Sequence, residues 1–152
     1  MLSIKVKSFS ELTTEELYDI LRLRSEVFVV EQNCVYQDLD QKDKKALHVC
    51  GYRGMVLAAY TRIFKAGEYF EQASIGRVVV DNRFRRHGYG YQIMEASIKA
   101  VKDYFETDSI KISAQTYLKD FYNNLGFKET GQEYLEDGIP HLAMIKEVKE
   151  DH

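Results

Sequence analysis

Apolar and polar residues alternate along this chain in two rhythms, one typical of strands and one typical of helices. Near the start, Leu2, Ile4 and Val6 alternate with polar residues, as in a strand with one buried face. Thr13 and Glu16 then have the spacing of a helix capping box. The apolar residues behind this box fall on one helical stripe: Leu17, Ile20, Leu21, Val27 and Phe28. The pattern predicts a strand followed by a helix.

The middle of the chain changes to a strand pattern after a polar, irregular segment at 31–45. Two strand-like runs, at about 46–52 and 55–64, flank an Arg-Gly pair that predicts a hairpin turn. The next run, at 73–80, ends in three consecutive valines. Such a continuous apolar run predicts a buried central strand.

Helical spacing returns in the second half of the chain, followed by shorter elements. The predicted elements are a helix at about 89–105, a strand near 110–113, a short helix near 117–125, and strands at about 127–135 and 141–147, the last two separated by Glu136–Pro140. With no linker-like stretch in between, we expect one domain over residues 1–152. The predicted fold class is α/β, a mixed sheet with helices.

Composition narrows the classes of protein that fit this pattern. Hydrophobic residues make up 45% and charged residues 30% of the 152 residues, which argues against disorder. A net charge of -3 does not favour nucleic-acid binding. There is no signal-peptide pattern and no apolar run long enough to cross a membrane. Cys34 and Cys50 form no CxxC pair, so we expect reduced thiols and a cytoplasmic protein.

The loop between the valine-rich strand and the long helix predicts an anion site. It carries Arg83, Arg85 and Arg86 and ends with Gly88 and Gly90. Glycines let the backbone approach a ligand closely, and the first amides of a helix have no partner within that helix. The helix dipole adds partial positive charge there. A diphosphate suits such a loop.

Two common phosphate-binding motifs do not account for this loop. A P-loop requires Lys and Ser or Thr after its last glycine, but Tyr91 and Gln92 follow here. A dinucleotide-binding fingerprint requires a third small residue where Ile93 stands.

The pattern that does match is Arg85-x-x-Gly88-x-Gly90, which resembles the pyrophosphate-binding motif of the GNAT superfamily of N-acetyltransferases. A second segment, 120–127, resembles the Phe-Tyr-x-x-x-Gly-Phe motif of the same superfamily. A glycine is well suited to end the short helix of that motif, because helix C-caps favour the left-handed conformation.

Further segments, at 28–40 and 137–141, are similar to the ElaA-like branch of GNAT proteins. The resemblance covers nearly the whole chain. It implies a strongly twisted mixed sheet flanked by helices, whose central strands splay apart to form a cleft for acetyl-CoA.

The resemblance also implies which residues bind acetyl-CoA. Backbone groups of Val78 and Val80 would pair with the pantetheine arm as an added strand does. The amides from about Arg86 to Tyr91 would hold the pyrophosphate, and Gln115 stands where many relatives carry a cofactor-contacting Asn. The implied set is Val78, Val79, Val80, Arg85, Arg86, His87, Gly88, Tyr89, Gly90, Tyr91 and Gln115.

The implied reaction is direct attack of a neutral amine on the thioester, with no covalent enzyme intermediate and no metal. A backbone amide near Val79 or Val80 would stabilise the oxyanion, and Tyr122 would hydrogen-bond the leaving sulfur. His141 is the first choice as general base because histidine titrates in the useful range. Glu31, Glu136 and His48 remain alternatives. Some relatives carry a Glu twelve positions before the tyrosine, where this chain has Ile110.

Several acidic and metal-ligating residues carry weaker signals. Asp38, Asp40 and Asp43 hint at a calcium loop, but the glycine and the terminal glutamate of an EF-hand are missing. Cys34, His48 and Cys50 lack the paired spacing of a zinc site. Five carboxylates either line a mouth that attracts a cationic amine or are simply solvated: Glu31, Asp38, Asp40, Glu136 and Asp137.

The partner left open by the sequence is the acceptor, either a small-molecule amine or the N-terminus or lysine of a protein. We expect no nucleic-acid or membrane partner, and the oligomeric state, including a homodimer, stays open. The competing functions are a non-catalytic acyl-CoA-binding domain and a nucleotide-binding module, the latter disfavoured by the failed fingerprints.

Overall fold

A computed structural model of the chain, which describes residues 1–147, has seven strands in one mixed sheet with helices on its faces. The strands are β1 (Ser3–Ser8), β2 (Leu47–Arg53), β3 (Val56–Phe64), β4 (Ala73–Val80), β5 (Ile110–Gln115), β6 (Lys128–Glu136) and β7 (Ile139–Lys146). The α-helices are α1 (Thr14–Arg24), α2 (Tyr89–Phe105) and α3 (Lys119–Asn123). The order across the sheet is β1-β2-β3-β4-β5-β7-β6. The predicted α/β class is confirmed.

Helix α1 begins where the capping box predicts. The Glu16 amide donates to Thr13 Oγ1 at 3.1 Å, and the Thr13 amide donates to Glu16 Oε1 at 2.9 Å. The buried face of the helix was only partly predicted, since Leu17 and Leu21 are half-buried. The fully buried positions are Ile20, Leu23, Arg24 and Val27, because the helix continues with wider turns through Ser25–Glu31.

The turn between the last two strands is tighter than predicted. The segment Glu136–Pro140 is not a loop, because β6 reaches Glu136 and β7 begins at Ile139. Asp137 and Gly138 form the whole turn, with φ values of 51° and 78°. Two consecutive positive φ angles are typical of the two-residue hairpin turn that Asp-Gly favours.

The core lies on both faces of the sheet. On one face, Ile93, Met94 and Val101 of α2 pack with buried side chains of the strands, such as Ile112 and Met144. On the other face, α1 contributes Ile20, Leu23 and Val27 to a smaller cluster. Burial of a side chain of this size stabilises a fold by roughly 1.5–3 kcal/mol.

The two central strands β4 and β5 run parallel but stay paired for only two positions, Ala73 with Ile110 and Ser74 with Lys111. Beyond these positions the strands diverge, and the sheet opens into a cleft. The splayed central strands that the family resemblance implies are therefore present.

Strand β4 also carries a bulge where it leaves β5. Arg62 of β3 pairs with Gly76, but Tyr60 pairs with Val79, so β4 has one more residue than β3 across this step. Arg77 lies in the bulge with φ 50°, a conformation that is uncommon for residues other than glycine. Its Nε atom lies 2.8 Å from Asp38 Oδ1, an ion pair that holds the arginine in this position.

A cluster of buried charges links the segment before β2 to α1, β3 and β4. Arg24 Nη1 lies 2.7 Å from Asp43 Oδ1, and Arg62 Nη2 lies 2.6 Å from Asp40 Oδ2. The cluster has three cations and three anions: Arg24, Arg62, Arg77, Asp38, Asp40 and Asp43. The three aspartates that resemble a calcium loop thus bind arginines. Asp38 and Asp40 do not belong to an acidic mouth.

We expect Asp43→Asn to destabilise the protein strongly at neutral pH. Asp43 contacts both Arg24 and Arg62, whose side chains are essentially inaccessible, and removing one partner of a buried ion pair costs about 3–5 kcal/mol of unfolding free energy. Urea unfolding at pH 7 measures this difference. Asp103→Asn, which breaks an exposed pair with Lys99, is the control and should cost less than about 1 kcal/mol.

The unfolding free energy lost in Asp43→Asn should depend on pH, in a direction that follows from the pKa of Asp43. The pKa of Asp43 is held below its ordinary 3.8 by hydrogen bonds and charge from Arg24 and Arg62, which outweigh burial. A lowered pKa in the folded state stabilises the protein at neutral pH, and this contribution disappears as the pH falls through that pKa. The difference between wild type and Asp43→Asn should therefore shrink in acid. An undiminished difference would contradict the prediction.

Candidate functional site

The predicted anion loop forms a cradle of backbone amides at the start of α2. Gly88 precedes the helix with φ 75°, and Gln92 is the first residue of the helix whose amide donates back, to the Gly88 carbonyl. The amides of Tyr89, Gly90 and Tyr91 therefore have no partner within the helix. A Cβ at Gly88 would meet no atom within 4 Å. Glycine is required there for its backbone angle and not for space.

The arginines of this loop are less available than the sequence suggested. Arg83 is paired with Asp81 at 2.8 Å. Arg85 is paired with Glu31 at 2.8 Å and also donates to the Val80 carbonyl at 3.3 Å. Arg86, with φ 69°, and His87 are exposed beside the cradle. Of the three arginines, Arg86 is the one whose guanidinium has no ion pair within residues 1–147.

The end of β4 leads directly to the cradle. Val79 packs into the core beneath α1, while Val78 and Val80 are half-buried against the larger core. On the side of β3, Val79 and Val80 pair with Tyr60 and Ala59. On the side of β5, pairing stops at Ser74, so the backbone from Gly76 to Val80 faces the cleft.

Tyr122 lies on α3 across the cleft from β4, with only 6% of its surface exposed. Its ring packs edge-on against Phe121 and Phe127, at centroid distances of 5.0 and 6.1 Å. Burial raises the pKa of the Tyr122 hydroxyl, so this group is protonated at neutral pH. Within residues 1–147 the hydroxyl makes no hydrogen bond, which leaves it free to donate to a ligand.

His141 and Gln115 are neighbours on adjacent strands, in register between β7 and β5, and both line the cleft with Tyr122. Contact between Gln115 and a cofactor stays a prediction. The His141 ring stacks on Tyr134 at a centroid distance of 6.2 Å. Its Nδ1 lies 2.7 Å from the Ile139 carbonyl, and its Nε2 lies 3.2 Å from Glu136 Oε2.

These contacts assign the histidine's tautomer. A carbonyl oxygen only accepts, so Nδ1 of His141 carries a hydrogen and donates it to Ile139. In the neutral ring Nε2 therefore keeps its lone pair and is the nitrogen that can accept a proton. A proton on Nε2 would bridge to the Glu136 carboxylate, whose side chain is 44% exposed and leads to solvent.

Two of the other candidate bases, His48 and Glu31, are not placed for the same role. His48 is fully buried, with Nδ1 2.6 Å from the Tyr60 hydroxyl and Nε2 2.9 Å from the Asp43 carbonyl. Burial lowers the pKa of this imidazole. Glu31 is engaged by Arg85. Glu136 lines the cleft beside His141.

The structure adds cleft residues that the sequence did not single out. Besides Tyr122 and His141, five aromatic side chains line it: Phe28, Tyr36, Phe64, Tyr69 and Phe70. Phe28 and Tyr36 lie in the segment that resembles the ElaA-like branch, and that resemblance was the available signal. Cys34 also lines the cleft, and its thiol lies 3.5 Å from the Asp137 carbonyl.

Cys34 and Cys50 are separate free thiols, the first at the cleft and the second in the core beneath α1. Residues 1–147 contain no cluster of three or more His, Cys, Asp or Glu side chains arranged to hold a metal ion. In the same part of the chain, none of the helices has the length and apolar character needed to cross a membrane.

Comparison with known proteins shows what this arrangement resembles. Residues 10–148 match the family model described as an acetyltransferase (GNAT) domain. The chain is 40% identical over 141 residues to the protein ElaA of Escherichia coli, which covers 91% of this chain and 92% of that protein.

Solved structures agree with the sequence match. The crystal structure of E. coli ElaA has a TM-score of 0.89 at 37% identity, covering 97% of this chain and 100% of that one. An acyl-CoA N-acyltransferase from Pseudomonas aeruginosa has a TM-score of 0.88 at 37% identity, covering 95% and 99%. At 20% identity, a Bacillus subtilis acetyltransferase solved in complex with CoA shares the fold, with a TM-score of 0.66 and coverage of 98% and 100%.

Proposed function

Because the chain belongs to the GNAT acetyltransferase family, we propose that it transfers an acetyl group from acetyl-CoA to an amine. One observation carries the proposal. The start of α2 has unpartnered backbone amides, and the cleft between β4 and β5 is lined by Tyr122 and His141. The unbridged cysteines suit action in a reducing compartment, the cytoplasm.

The residues present fit acetyl-CoA. The amides of Tyr89, Gly90 and Tyr91 suit a pyrophosphate, with Arg86 and His87 beside them. The backbone of β4 from Gly76 to Val80, which is unpaired on the side of β5, suits the amide groups of a pantetheine arm. Gln115 lines the cleft beyond them. Arg85 holds Glu31 and the β4 carbonyl of Val80, so its proposed role is to shape the loop.

When bound, acetyl-CoA supplies a thioester whose acyl carbon the amine attacks. The Tyr122 hydroxyl is protonated and unpartnered, so it donates a hydrogen bond to the leaving sulfur as negative charge develops. His141 removes the proton of the incoming amine through Nε2 and passes it toward Glu136 and solvent. Holding both reactants in one cleft supplies a large part of the rate.

Tyr122→Phe should slow turnover without weakening binding of CoA. The variant keeps the packed ring and loses one hydrogen bond to a developing charge, worth about 1.5–3 kcal/mol, so kcat should fall about 10- to 150-fold. Release of free thiol from acetyl-CoA, measured across an amine panel, reports kcat, and titration calorimetry with CoA reports affinity.

Two outcomes of this experiment separate the functions. Unchanged turnover in Tyr122→Phe would remove the hydroxyl from the mechanism. CoA binding by the wild type without thiol release for any amine would instead indicate an acyl-CoA-binding domain.

His141→Gln should remove one step of the pH–rate profile. A base works when deprotonated, so the wild-type rate should rise with pH through a step as the base loses its proton. The variant should lack this step, and its kcat should be about 100- to 10,000-fold lower. Tyr122→Phe is the control, because it should be slower at every pH yet keep the rise. The same rise in His141→Gln would exclude this histidine as the base.

Gly88→Ala should weaken CoA binding by about tenfold, whereas Gly54→Ala should not. Both glycines have positive φ, 75° and 62°, and neither has an atom within 4 Å of an added Cβ. Both substitutions therefore cost about 1–2 kcal/mol of stability for the same reason. Only Gly88 holds the amide cradle, and titration calorimetry separates the two. Equal affinity in both variants would place the diphosphate elsewhere.

A further inference from the structure

We propose, building on the acetyl transfer proposed above, that the acceptor is an amine carried on an aromatic body without a carboxylate, the arylalkylamine class. The inference comes from the charges and rings that line the acceptor part of the cleft. The side chains concerned lie on four segments of the chain, all within residues 1–147.

The lysine and arginine side chains that line the cleft are Arg62 and Arg77, and both are already paired with aspartates. Arg62 is paired through both Nη atoms, with Asp40 at 2.6 Å and Asp43 at 3.0 Å. Its Nε has no partner but is buried, so this atom presents no surface to a ligand. Arg77 is paired with Asp38 and also donates to the carbonyl of that residue. A substrate carboxylate would have to compete with these aspartates for either arginine.

The lining carboxylates, in contrast, are open to the cleft. Glu136 and Asp137 lie at the end of the β6–β7 hairpin, and neither is paired with a lysine or arginine within the described residues. Within the described residues, the one ion-pair contact of Glu136 is with His141. Two carboxylates near the base attract a cationic amine and repel a carboxylate carried by the same molecule.

Aromatic rings also line the acceptor part of the cleft. Phe64 and Tyr69 stack at a centroid distance of 5.1 Å, and Phe70 meets Tyr69 edge-on at 4.7 Å. Phe28 and Tyr36 line the same cleft from the segment after α1. Tyr69, Phe70, Phe28 and Tyr36 are only half-buried, so each keeps ring surface exposed.

Partly exposed rings favour an apolar, ring-bearing body, because aromatic pairs add about 0.5–1.5 kcal/mol beyond the area they bury. A diamine would use the carboxylates but would bring no apolar ring to stack on these side chains. The acceptor wall therefore favours one amine on a ring over two amines on an aliphatic chain.

Matched acceptors test the inference. Phenylalaninamide carries an uncharged amide where phenylalanine carries a carboxylate. Phenylethylamine carries an aromatic ring where cadaverine carries a second amine. At equal concentrations of free amine, kcat/KM from thiol release should be at least about tenfold higher for phenylalaninamide than for phenylalanine. It should also be about tenfold higher for phenylethylamine than for cadaverine.

Asp137→Asn tests the charge argument separately. Asn tolerates the left-handed conformation of this turn, so the hairpin should be retained. The ratio of kcat/KM for phenylalaninamide to kcat/KM for phenylalanine should fall about threefold at low salt, because one charge that repels the carboxylate is removed. Asp103→Asn, on the exposed face of α2, is the control and should leave the ratio unchanged.

The outcomes distinguish this inference from the proposed function. If phenylalanine is acetylated as well as phenylalaninamide, or cadaverine better than phenylethylamine, the acceptor class is wrong while acetyl transfer stands. If Asp137→Asn and the wild type show the same ratio of kcat/KM for phenylalaninamide to that for phenylalanine, the charge argument is wrong. If no amine releases thiol from bound acetyl-CoA, the proposed function fails and the acceptor class with it.

Discussion

The separation of β4 from β5 is the constraint on which the rest of this structure depends. Two parallel strands that pair for two residues and then diverge leave a row of backbone donors and acceptors without partners in the middle of a sheet. Unpaired backbone groups are costly unless something satisfies them. In this chain they face a cleft, and the amide cradle of α2 follows the same strand along the chain, so strand and helix start both offer unpartnered backbone groups to an extended ligand.

The bulge at Arg77 and the buried charges behind it keep that separation in place. The extra residue in β4 turns the strand away from β5, and Asp38 holds the strained arginine. The same aspartate also binds Arg24 of α1, so the irregular segment before β2 is fixed to a helix and a strand at once. The aspartate charges of this segment stabilise the fold and are not available to a ligand. For this reason the acceptor part of the cleft is shaped by rings and by the carboxylates of the β6–β7 turn.

The candidate site was predictable to the extent that its parts are close in sequence. Gly88 and the amides after it form a local structure, and its conformation follows from a strand, a glycine and a helix start. Tyr122 and His141 were identified through resemblance, and the structure brings both to one cleft. The ion pair of Arg85 with Glu31, 54 residues away, was not predicted. Pairing over that distance leaves no local pattern.

The sequence by itself determined the elements, because periodicity, capping residues and turn residues act within a few positions of one another. Thr13, the valines of β4 and the Asp-Gly turn are such local signals. The tertiary structure alone decided which charges are neutralised, which rings face the cleft and which nitrogen of His141 carries a hydrogen. Those properties depend on distances between segments far apart in the chain, and only packing sets such distances.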